Sequence, residues 1–125
     1  MQYAILCYNE EDVVWSMSKQ EDQAMMARLN VVQERLVKSG KLGPSLRLLP
    51  TTAAATLRTA QNGEALVLDG PFAETKEQLL GFFIVDTENL EEALDIARDL
   101  AAAKTGSTYE VRPIALYFPD RRGAA

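Results

Sequence analysis

The stretch DGPFAETKEQLLGFF, Asp69 to Phe83, changes character twice. A Gly-Pro turn signal leads into Glu74, Thr75, Lys76 and Glu77, and the chain then turns abruptly apolar. From Leu79 to Val85 every position except Gly81 is hydrophobic, so this run is expected to form a strand covered on both faces. The charged segment before it is either the rim of a site or a corner that delivers the chain into that buried strand.

Working outward, Gln2 to Tyr8 sets Tyr3, Ile5 and Cys7 against Ala4, Leu6 and Tyr8, a second strand apolar on both faces. Ser18 with Glu21 makes a capping box, and Met25, Leu29, Val32 and Leu36 follow at four-three-four spacing before Gly40, which predicts a helix. Leu42 to Leu49 is a strand whose regular part begins near Ser45, after Gly43-Pro44. Ala54 to Thr59 and Glu64 to Asp69 flank Asn62-Gly63 and predict a hairpin. Asn89, with Glu92 three residues on, caps a second helix carrying a stripe of Leu90, Ala93, Leu94, Ala97, Leu100 and Ala101. Tyr109 to Phe118 reads as the closing strand and PDRRGAA as a frayed tail.

The order strand, helix, strand, hairpin, strand, helix, strand is an α+β pattern, a ferredoxin-like split β-α-β with an inserted β-hairpin. The single domain is expected to cover residues 1–118, with 119–125 a flexible C-terminal tail. Two helices cover one sheet face, yet the first, fifth and last strands are expected to be apolar on both. A second copy packed sheet against sheet supplies the missing cover, which predicts a homodimer.

Composition excludes several functions. With 125 residues, a net charge of −5 and scattered basic residues, a nucleic-acid partner is not expected. No run approaches the roughly 18 apolar residues of a membrane span, and MQYAILCYNE lacks a signal peptide's basic start, so a cytoplasmic location is expected. The chain has no histidine and one cysteine, Cys7. Histidine-dependent catalysis and the usual zinc, copper and haem ligand sets are thereby removed, and no cofactor or metal is expected. Cys7 is read as a small buried hydrophobe.

Within the loop, Gly70 can take angles other residues avoid, Pro71 fixes its own φ, Asp69 can accept from downstream amides, and Phe72 can plug into the core. Ala73 to Glu77 is harder to explain as a connection. Asp69 and Glu74 are candidate bases, with Lys76 or Arg58 to steady negative charge. A ligand pocket would add Tyr8, Trp15 and Phe83 to these, with Glu74 and Lys76 turned into a space shared with Tyr8. Against this, Trp15 reads well as a packing anchor and Glu10-Glu11-Asp12 as a solvated helix approach.

LDGPFAETKEQLLGFFIVD, with ATLRTAQNGEALV before it and LEEALDIARDLAAAKTGSTYEVRPI after it, resembles the YCII-related proteins, in the branch named for its DGPF motif. The resemblance runs from Tyr3 to Ile114. It implies a dimeric α/β barrel of two ferredoxin-like subunits, and proteins sometimes encoded near or fused to alternative sigma factors, with no agreed reaction. The histidine–aspartate pair proposed for related YCII proteins has no counterpart here. The expected function is therefore a small-molecule ligand-binding or regulatory protein. The alternatives are a cofactor-free enzyme moving protons on a small cyclic or carbonyl substrate, and a protein-interaction module linked to alternative sigma factors.

Overall fold

The apolar run after the loop does become a central strand. In the computed structural model, which describes residues 1–120 and 122, β5 (Gln78–Asp86) lies between β1 (Gln2–Asn9) and β2 (Leu42–Arg47), and β6 (Thr108–Pro113) pairs on the far side of β1. All three pairings are antiparallel, giving the order β2-β5-β1-β6. One face carries α2 (Lys19–Lys38) and α3 (Leu90–Ala103). A short helix, α1 (Glu11–Trp15), precedes α2, and a single 3-10 turn at Thr51–Ala53 leads into a separate hairpin, β3 (Ala55–Thr59) with β4 (Ala65–Asp69). The chain is thus a mixed α+β structure.

Local signals explain the helices. Ser18 accepts from the Glu21 amide at 3.1 Å while Glu21 accepts from the Ser18 amide at 3.3 Å, satisfying two donors the helix start leaves orphaned. Met25, Leu29, Val32 and Leu36 all face the core. Asn89 caps α3 by accepting from the Glu92 amide at 3.0 Å. The buried stripe of α3 is Ala93, Ile96, Ala97, Leu100 and Ala103, whereas Leu90, expected in it, is 46% exposed at the helix start. Tyr3, Ile5 and Val85 meet these helices from the sheet, and Ile5, Val85 and Leu100 are the largest fully buried side chains.

The helix-free face departs from expectation in two ways. β6 turns Thr108, Glu110 and Arg112 outward, opposite Tyr8, Leu6 and Ala4, so the last strand is apolar on one face only. It also stops at Pro113 rather than Phe118; as an edge strand it tolerates a residue without a donor. Ile114 still donates to the Gln2 carbonyl at 2.9 Å, after which the chain turns back toward the opposite edge. The Tyr117 hydroxyl comes to 3.5 Å of where a Cβ on Gly43 of β2 would sit, and Ile84 beside Gly43 is only 9% exposed. Part of the cover expected from a second copy is supplied by the C-terminal segment itself. Of the tail expected at 119–125, Arg121 and 123–125 lie outside the described residues, and Arg122 pairs with Asp120 at 3.1 Å.

The hairpin stands off the main sheet, its strands in contact chiefly with each other. Leu57, Leu66, Val67 and Leu68 are all exposed on it. Phe72, expected to plug into the core, is 77% exposed instead. The loop that carries it follows this outlying hairpin, so it emerges beside solvent rather than over the helices.

Candidate functional site

Gly70 anchors the loop by backbone contacts on both sides. Its amide donates to the Ala54 carbonyl at 2.7 Å, and its carbonyl accepts from the Thr56 hydroxyl at 2.8 Å. Its φ of +91° lies in the region that side chains rarely adopt. Asp69 has no such role: among the described residues nothing donates to its carboxylate, and it is exposed. The later turns are held by Thr75 donating to the Glu77 carbonyl at 2.5 Å and by Gln78 reaching the carbonyls of Thr75 and Ala73 at 3.3 and 3.4 Å.

This loop faces two segments distant in sequence. Lys76 pairs with Glu10 at 3.4 Å, and Glu11 accepts from both the amide of Thr51, at 2.6 Å, and its hydroxyl. Together with Asp12, Thr52, Gly70, Pro71, Glu74 and Gln78 they enclose an open cleft of about 620 Å³. Four carboxylates, those of Glu10, Glu11, Asp12 and Glu74, outnumber the single ammonium of Lys76, so the cleft is an acceptor-rich, negatively charged environment. The Lys76 side chain is 85% exposed, and an ion pair so wet is worth at most ~1 kcal/mol, so Lys76 can exchange Glu10 for a ligand at little cost.

The other candidates go elsewhere. Tyr8 lies on the helix-free face, its hydroxyl donating to Glu110 at 3.5 Å, and it does not line this cleft. Phe83, opposite Ile5 on β5, faces the helices and packs against the core. Trp15 is 44% exposed, with the Arg47 guanidinium 5.1 Å over its ring, an arrangement that fixes α1 against β2. Arg58 sits exposed on the hairpin. Tyr8, Trp15 and Phe83 therefore do not form one wall in the folded chain. The sequence did not single out Thr51, Thr52 or Gln78, and it treated Glu10 to Asp12 as solvated approach. A Thr pair after Pro50 and a run of three acids were the available signals, but only tertiary folding sets them opposite the loop.

A YCII-related domain spans residues 1–116 of this chain. The chain belongs to the YCII-related family. It is also 61% identical over 121 residues, covering 95% of its length, to "Uncharacterized protein R00369" of Rhizobium meliloti (strain 1021), of which it covers 96%. Among the described residues no helix is long and apolar enough to cross a membrane, and no group of three or more acidic or sulfur side chains is arranged to hold a metal ion.

Proposed function

We propose that the chain is a ligand-binding or regulatory protein of the DGPF-motif branch whose site is the cleft between the 70–78 loop, Glu10 to Asp12 and the Thr51–Thr52 turn. The observation that carries this is the convergence of three sequence-distant segments, two of them joined by Glu11 and Thr51, on one open space lined with acceptors. Such a lining suits a small polar molecule rich in hydrogen-bond donors, an amine or amidine in particular. Lys76 would be released from Glu10 as the donor enters.

The same reading includes a homodimer. The strand order β2-β5-β1-β6 with both long helices on one face supports a ferredoxin-like subunit. Leu46 at 43%, Leu116 at 79% and Phe118 at 57% exposure, with the apolar hairpin, leave hydrophobic surface that a second copy would remove from water, closing a dimeric α/β barrel.

A thermal-shift screen of donor-bearing metabolites tests the site, since a ligand that binds only the folded state raises the melting temperature by mass action. Hits should lose their effect in Glu74→Gln and Asp12→Asn. A screen without hits, or hits indifferent to both variants, would count against the cleft.

A further inference from the structure

Apart from that cleft, and sharing none of its lining residues, an apolar cavity of about 170 Å³ opens between α2 and the β2–β5 edge. Its body is made by Met25, Met26, Leu29 and Phe83. Protein interiors hold few voids larger than a water molecule, and an apolar cavity of roughly 150 Å³ takes up benzene, so this space has room for one ring or a short branched chain. Methionine walls adapt to such a body with little strain.

Among the lining side chains, which include the neutral Gln33, Ser45 and Tyr109, the charged ones are both cationic, Arg47 and Lys104. Arg47 is already engaged, by Asp22 at 3.2 Å and by the Trp15 ring. Lys104, at the C-terminal end of α3, is half-buried, and among the described residues its ammonium has neither an ion pair nor a hydrogen bond. An ammonium taken partly out of water with no acceptor is costly, and an anion placed against it removes that cost.

We propose that this cavity is a second binding site, for a small aromatic or short-chain aliphatic carboxylate, with the apolar body among Met25, Met26, Leu29 and Phe83 and the carboxylate on Lys104. The site is independent of the acidic cleft, which would repel the same ligand. Burial lowers the pKa of Lys104, the largest influence on it, and a bound carboxylate opposes that effect by favouring the charged ammonium.

Cys7 lines the cavity and is the chain's one cysteine, so its modification reports occupancy. The test compares benzoate with benzamide by calorimetry on the full-length protein, and follows methylthiolation of Cys7 with and without each compound. Benzoate should bind at least tenfold more tightly than benzamide and slow the modification of Cys7 in proportion to occupancy. Lys104→Met should abolish the preference while leaving benzamide binding unchanged, and Lys104→Gln provides the same comparison should the Met variant fail to fold. Equal affinity for acid and amide, a preference that survives loss of the ammonium, or unprotected Cys7 in the wild-type protein at saturating benzoate would each overturn the proposal.

Discussion

Replacing Gly81 with alanine should unfasten the β2 edge of the sheet. A Cβ at Gly81 would lie 2.1 Å from the Leu46 carbonyl oxygen and 3.1 Å from the Arg47 Cα, and both are backbone atoms of the neighbouring strand, so no rotamer change relieves the clash. β2 has to move outward. That shift strains the Leu46–Phe82 and Arg47–Gly81 pairings and the bond from the Leu48 amide to the Leu80 carbonyl, now 2.7 Å. Overpacking of this kind costs ~1–3 kcal/mol, and each opened ladder bond adds ~0.5–1.5 kcal/mol, so the expected loss is about 2–4 kcal/mol. For a chain of this size that corresponds to a fall in melting temperature of roughly 8–16 °C. Calorimetry measures the loss, and hydrogen exchange should show the Leu48 amide opening faster in the variant. An alanine variant within ~0.5 kcal/mol of wild type, as surface substitutions usually are, would refute the close approach of the two strands.

Three further outcomes follow from the structure. Gly70→Val should cost about 1–3 kcal/mol through its backbone angle alone, because nothing lies within 4 Å of the added Cβ, so Gly70→Ala should cost nearly as much; a valine variant that melts like wild type would remove the strained corner. Burial pushes the Cys7 thiol up from 9.0 to about 11, against a smaller opposing influence of Lys104, which places its thiolate fraction at pH 8 roughly a hundredfold below that of an ordinary cysteine. Between those values the folded protein keeps a proton that the unfolded chain has lost, so urea midpoints should fall as pH rises from about 9, and a Cys7→Ala variant should fall less steeply, retaining only the loss that begins near pH 10 from Tyr109, pushed up to about 12 by burial. Light scattering at micromolar concentration should give twice the 13.8 kDa chain mass, and a monomer mass would exclude the dimer.

What could be read from the residues was local or periodic. Ser18 with Glu21, Asn89 with Glu92, and the stripe from Met25 to Leu36 declared both long helices because capping and amphipathic spacing are encoded within a few residues. Asn62-Gly63 signalled a turn, but a turn signal says nothing about where the hairpin docks, so its departure from the main sheet, and Phe72's exposure with it, stayed hidden. Tyr8 and Phe83 lie in strands apolar on both faces, where alternation does not say which face meets the helices. Their separation onto opposite faces needed the register, including the irregularity between Cys7 and Tyr8. The loop was legible as unusual, while its partners were not: Glu10 reaches it through Lys76, and Thr51 is tied to the neighbouring Glu11, through tertiary contacts that no spacing in the sequence announces.

On the proposed function, the acceptor-rich cleft, rather than any other surface, receives the polar ligand. Mapping backbone amide shifts while titrating the strongest amine or amidine from the screen into the wild-type protein tests it most directly. The expected perturbations fall on Glu11, Asp12, Thr51, Gly70, Thr75 and Gln78 and saturate together, with the Lys76 signals moving as its pairing with Glu10 is released. Saturating perturbations confined to residues away from the cleft, with these amides unmoved, would contradict it.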